Sequence, residues 1–222
     1  PKILSWKNKS QFEYAGAAGG FIDKLCYPYC RGRILGTVEQ DHGQYDQIID
    51  IFWASGACLC VRTHSYIEIG GLDAEFFAHM EEIDLCWRLL NRGHRIVCIP
   101  QSRVYHLGGG SLNYENPKKT FLNFRNSLLM IYKNMPSQRL ITTLVARFFL
   151  DLAASLHYLV CGKVKNAYAV LKAWYAYLNM RKQFTHKRQH NLSMTTCAYP
   201  KTMSKRIILF DYYFRSKRTW SK

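Results

Sequence analysis

The stretch Gly70-Gly71-Leu72-Asp73-Ala74-Glu75-Phe76-Phe77-Ala78-His79-Met80-Glu81-Glu82-Ile83-Asp84-Leu85-Cys86-Trp87-Arg88 decides how the rest of the chain is read. Between Met80 and Arg92 the apolar residues Ile83, Cys86, Trp87, Leu89 and Leu90 recur at helical spacing, and Gly93 closes the run, so a helix is predicted there. Glu81, Glu82 and Asp84 place three carboxylates within four positions at its start. Unpaired N–H groups favour acidic residues in a first turn, which accounts for one or two of them. Phe76-Phe77 just before them predicts an apolar wall where the charges lose their water. Crowded, desolvated carboxylates take up protons more readily, which is how a general base is poised near neutral pH.

Downstream, Arg95 to Pro100 reads as a short buried strand that Ser102–Tyr105 extends, and His106 to Ser111 as a glycine-rich loop. Upstream, Thr63 to Ile69 reads as a short helix closed by Gly70-Gly71, and Ile48 to Arg62 as a strand broken at Gly56. Residues 10–47 show no clean period and are rich in Gly, Tyr and polar residues. They predict a long surface excursion rather than a core element. Ile3-Leu4 is a strand fragment, so the chain is expected to begin within a domain.

The 222 residues suffice for one large domain or two small ones, and 48% hydrophobic with 21% charged residues excludes a disordered, collagenous or coiled-coil chain. The net charge of +16 is unevenly placed. Residues 1–120 hold 13 basic and 13 acidic side chains, whereas residues 121–222 hold 18 basic ones against Asp151 and Asp211 alone. The eight cysteines contain no CxxC pair, which argues against a zinc ribbon, and most lie in apolar runs as small buried hydrophobes do. A reducing compartment follows as the simpler expectation.

Taken together, GGLDxxFFxxxEExDLCWR, the RIVxIP strand and HxGGGS resemble the C-terminal half of a family-2 inverting glycosyltransferase with the GT-A fold, in its rhamnosyltransferase-like branch. The resemblance runs from Pro1 to about Met135. It implies an α/β chain: an incomplete GT-A domain lacking its N-terminal half, followed by an α-helical tail. It also implies a donor that is a nucleotide-diphospho-sugar, an acceptor that is a saccharide or a lipid-linked saccharide, and a place in cell-surface polysaccharide synthesis. The second acid of the pair, here Glu82 where the family usually has Asp, would deprotonate the acceptor hydroxyl. Glu81 would support it, and Asp84 would orient a neighbour or pair with Arg88 one turn on. His106 matches a histidine that helps hold a divalent metal, Mn²⁺ or Mg²⁺. Trp53, Gly56 and Ala57 match the strand lining the sugar site, Arg31 and Arg33 are phosphate-contact candidates, and Arg88 is a further substrate-binding candidate. The nucleotide-binding half with its Asp-x-Asp metal motif is expected before Pro1, so residues 1–222 alone are expected to be catalytically incomplete.

Three regions are therefore anticipated: 1–135, the acceptor-side part of the domain; 136–182, amphipathic membrane-surface helices; and 183–222, a loosely ordered basic tail. Residues 117–134 predict a helix with an Asn/Arg face, and Arg139 to Lys182 two helices hinged near Gly162. The first is long enough to suggest a membrane span, but Arg147, Asp151 and His157 interrupt it. The second mixes Tyr and Trp with Lys and Arg, as helices lying in a membrane interface do. An anionic membrane surface at the cytoplasmic face is thus the expected partner. The alternative is a non-catalytic basic module that binds membrane or nucleic acid. Nucleic acid is not the expected partner, because no RNP, zinc-finger or helix-turn-helix pattern accompanies the charge.

Overall fold

A computed structural model describes residues 1–108 and 116–220. Its strands are short: β1 (Lys2–Ser5), β2 (Gly20–Ile22), β3 (Pro28–Cys30), β4 (Arg33–Ile34), β5 (Thr37–Val38) and β6 (Ile49–Asp50) precede the first helices. Helix α1 (Thr63–Glu68), a 3-10 turn (Ala74–Phe76) and helix α2 (Glu81–Asn91) follow, then β7 (Val97–Cys98) and β8 (Arg103–His106). The remaining elements are helical: α3 (Pro117–Asn134), α4 (Ser137–Val160), α5 (Val164–Met180), α6 (Thr185–Ser193) and α7 (Ile208–Tyr213). The chain is mixed α/β, with small sheets and long helices.

It divides into two spatial units, with the cut inside α2. The first comprises Pro1–Gly71, Leu85–Gly108 and the segment from Tyr199 onward; the second comprises Leu72–Asp84 and the described part of 109–198. The division into acceptor-side, membrane and tail regions remains a functional expectation separate from these units.

In the first unit β2-β3-β4-β5 form an antiparallel meander, β1 pairs parallel to β8 with Ser5 opposite His106, and β6 pairs antiparallel to β7. This corrects the reading of residues 10–47 as a surface excursion. Ala17, Ala18, Ile22, Cys26 and Cys30 are all fully buried there. The strands are two or three residues long, too short to show alternation in sequence. Gly20 is required for a steric reason, since a Cβ there would lie 2.2 Å from the Trp53 ring. The strand expected over 48–62 also shrinks, to Ile49–Asp50 and an isolated bridge from Trp53 to Gly20.

The core of this unit gathers Phe21, Tyr29, Ile34, Ile51, Cys98 and Ile208. Ile208 comes from the region expected to be a loose tail, which is the third correction. Apolar residues spaced among its charges supply the reason: Ile208 is fully buried, and Trp220 packs 4.6 Å from Phe21 and 5.6 Å from Tyr29. Fully buried Asp23 accepts the Ile208 N–H at 2.9 Å and those of Leu25 and Tyr27 at 2.8 Å.

The second unit is helical. Asn116 caps α3 by accepting from the Lys118 N–H at 2.8 Å, Pro117 occupies the first turn, and the helix ends before Pro136. Helices α4 and α5 turn at Gly162, whose φ of +71° suits glycine. The boundaries of α3 and the α4–α5 turn agree with the sequence expectation. Arg188 of α6 donates to the carbonyls of Tyr132 and Met135 and to Ser137 Oγ, satisfying the end of α3.

Candidate active site

The acidic stretch lies in the second unit and begins with a constrained loop. Phe77, His79 and Met80 all have positive φ, at 62°, 70° and 71°, without being glycine. Side chains at such angles cost roughly 1–2 kcal/mol each, so something must hold them. Asn126 of α3 does so: its Nδ2 donates to the carbonyls of Phe76, Ala78 and His79 at 2.9, 2.8 and 2.8 Å. Arg125 adds donations to the Glu75 and Phe76 carbonyls, both at 3.2 Å. The Asn/Arg face of α3 read from the sequence thus has a definite task.

Below the loop runs a buried ionic chain. Lys133 Nζ lies 2.8 Å from Asp73 Oδ2 and 2.9 Å from Asp84 Oδ2. Lys187 reaches Asp73 Oδ1 at 2.7 Å, and Asn134 donates to Asp84 Oδ1 at 2.8 Å. Burial would raise the Asp73 carboxyl, but Lys133 and Lys187 outweigh it and hold it down at about 2. Asp84, fully buried, is therefore a structural anchor that ties the first turn of α2 to α3. Arg88 is spent on the backbone, donating to the carbonyls of Ile69 at 2.6 Å and Gly71 at 2.7 Å.

Glu81 and Glu82 differ from Asp84. Both are half-buried, and each has a buried Oε2 that meets no hydrogen-bond partner among the described residues. Burial pushes the Glu82 carboxyl up to about 7, and the neighbouring Glu81 adds to the rise; the N–H groups of Glu82 and Ile83 only partly oppose it. Burial raises Glu81 as well. The aromatic wall is half of what was expected. Phe76 is fully buried edge-on to Phe184 at 6.1 Å, whereas Phe77 is 73% exposed because its positive φ turns it outward.

His79 is a residue the sequence reading passed over. Its Nε2 is buried without a partner among the described residues, and burial, with Lys119 nearby, lowers its pKa. A lone histidine before a helix carries no signal of this in sequence; the positive φ that places it is a tertiary property.

The other predicted site residues belong to the first unit. Trp53 is 4% exposed, its indole packed on Gly20 and its Nε1 donating to the Phe21 carbonyl at 2.9 Å. Arg31 donates to the Ala18 and Gln47 carbonyls, and Arg33 to the Tyr14 carbonyl. Each of these three, expected to stack on sugar or contact phosphate, is buried and bonded to backbone carbonyls of the fold. Gly56 and Ala57 are exposed, just beyond buried Ser55. His106 ends β8 with a buried Nδ1 that has no partner among the described residues, while Gly109–Ser111 of its loop lie outside them. No group of three His, Cys, Asp or Glu side chains gathers to hold a metal among the described residues.

Comparison with known proteins points the same way as the acidic helix. The chain is 41% identical over 54 residues to the N-acetylglucosaminyl-diphospho-decaprenol L-rhamnosyltransferase of Mycobacterium tuberculosis, covering 24% of this chain and 18% of that protein. It is 33% identical over 61 residues to rhamnosyltransferase WbbL of Escherichia coli K12, covering 28% and 22%. The chain is related to glycosyltransferases. A more distant likeness, 24% over 98 residues, is to the low-salt glycan biosynthesis hexosyltransferase Agl10 of Haloferax volcanii, covering 44% of this chain and 32% of that protein. The chain thus spans less than a third of the length of each of these relatives. No family model and no solved structure matches it.

Proposed function

We propose that this chain is the acceptor-side part of an inverting glycosyltransferase of the GT-A type. It would move a sugar from a nucleotide-diphospho-sugar to a saccharide on a lipid carrier, at the cytoplasmic face of the membrane. The observation that carries the reading is the Glu82 carboxyl, unpartnered at Oε2 and poised at about 7 on the first turn of α2. A carboxylate in that state serves as a general base at neutral pH. Its relatives' names support a sugar-transfer chemistry for it.

In this reading Glu82 accepts the proton of the acceptor hydroxyl. The oxygen forms a bond to the anomeric carbon from the face opposite the leaving group, and the bond to the diphosphate breaks with its electron pair. Glu81 keeps the Glu82 proton affinity high through like-charge repulsion. Lys133 and Asn134 hold the turn in place through Asp84, and Asn126 holds the loop before it. A divalent ion would need ligands besides His106, so no step is assigned to it.

Glu82→Gln in the full-length protein tests the reading. Turnover is expected to fall roughly 10²–10⁴-fold while donor binding measured by calorimetry persists. Unchanged turnover would leave the carboxylate without a catalytic part and favour a binding module.

A further inference from the structure

Helix α4 is polar where it is buried and, beyond its first turn, apolar where it is exposed apart from Thr142 and His157. Thr143, Arg147, Asp151 and Ser155, one residue per turn, are the buried ones. They bond inward: Arg147 to Ser127 Oγ at 2.9 Å, Asp151 to Trp174 Nε1 at 3.0 Å, and Ser155 to the Ala167 carbonyl at 3.0 Å. On other faces of the helix Ile141, Phe149, Leu156 and Val160 are exposed at 72%, 64%, 55% and 88%. Helix α5 shares only the outward half of this pattern: Tyr168 and Tyr175 are exposed at 66% and 69%, while its buried side sets Asn166, on Thr120 Oγ1 at 2.8 Å, among the small and apolar Ala167, Ala169, Val170 and Ala173. In water this arrangement forfeits the hydrophobic effect on the exposed side and pays desolvation on the buried side. In lipid the same polarity is the favourable one, because helices there join through polar and small side chains and turn apolar ones to the acyl chains.

We infer that the α4–α5 hairpin seats this apolar face in the hydrocarbon of an anionic lipid bilayer. Helix α4 is 24 residues and apolar enough for that medium, with only a minor part of it buried in the protein. The charge selects lipid over an apolar protein partner. Lys163, Lys165, Lys172, Arg181 and Lys182 are all exposed, and the one acidic residue between 137 and 182, Asp151, is buried. An anionic bilayer offers hydrocarbon and negative headgroups in one surface, which matches apolar residues bordered by exposed cations. The inference deepens the membrane placement proposed above and rests on it only for the location of the acceptor. It makes hydrophobic insertion, rather than charge alone, the main attachment.

Flotation of the full chain with phosphatidylcholine vesicles, with and without phosphatidylglycerol, tests this independently of sugar transfer. Phe149→Asp with Leu156→Asp is expected to weaken partitioning roughly tenfold or more at both low and high salt. Lys163→Gln with Lys165→Gln is expected to weaken it only on anionic vesicles and only at low salt. The Phe149→Trp indole, a substitution that leaves the face apolar, is expected to be quenched by vesicles with brominated acyl chains. Wild-type partitioning by the aspartate variant, or an unquenched indole, would overturn the inference. So would a lipid-free dimer that the aspartate variant converts to monomer, since the face would then belong to a second copy.

Discussion

At residue scale, Asp84 and Glu82 differ in what answers their carboxylates: a cation and an amide for Asp84, only N–H groups of its own first turn for Glu82. Asp84 meets Lys133 and Asn134, whereas Glu82 Oε2 meets no partner among the described residues. The sign of the pH dependence follows. The Glu82 carboxyl rises from 4.5 to about 7 on folding, so its contribution to stability is complete below about 4.5 and is lost as pH rises through 7. Glu82→Gln is therefore expected to be more stable than the parent at pH 8, by on the order of 2–3 kcal/mol, with the gap closing toward pH 4. Urea melts at the two pH values measure it. On the proposed sugar-transfer reading, the same ionisation in the full-length protein is expected to appear as a rise in kcat/KM through pH 7, absent in the variant. Asp73 has the opposite sign: held at about 2, it stabilises above pH 4 and loses that contribution as pH falls toward 2. The pair of acids was visible in the sequence, but their separate environments were not. Two carboxylates two positions apart, Glu82 and Asp84, part company because α3 brings Lys133 and Asn134 to Asp84.

At the scale of elements, the loop from Phe77 to Met80 and helix α3 act together. Three residues at positive φ are held by one amide, so Asn126→Ala leaves three carbonyls without that donor. A loss of about 1–3 kcal/mol is expected, together with faster amide exchange across 77–80. Denaturant unfolding and hydrogen exchange read the two effects. Transfer activity should fall even where the variant is fully folded, because the first turn of α2 starts from that loop. Helix existence was legible here, with α3 ending before Pro136 and α2 before Gly93 as their breakers dictate. Of the strands, β1, β7 and β8 lie where Ile3-Leu4, Arg95–Pro100 and Ser102–Tyr105 predict them, whereas β2 to β5 were not legible, since pairs as short as β4–β5 carry no periodicity.

At the scale of the whole molecule, the last residues belong to the core of the first. Ile208 and Trp220 complete the cluster around Phe21 and Tyr29. Ile208→Ala is expected to cost about 2–5 kcal/mol, seen as a lower urea midpoint, whereas a dispensable tail would lose almost nothing. The placement of charge was read correctly from composition, but not which basic residues face solvent. Arg147 and Arg188 are buried, whereas Lys163 and Lys165 are exposed. The sequence by itself determined the mixed α/β class, the long helices with their caps and stops, the acidic pair and the likeness to glycosyltransferases, because these rest on local spacing and residue type. Only the tertiary structure decided that Trp53, Arg31 and Arg33 are buried and bonded within the fold, that Glu82 is desolvated with an Oε2 that meets no partner among the described residues, and that α4 turns its apolar side outward. Burial and pairing are properties of what the rest of the chain brings alongside a residue, and a linear pattern does not carry them.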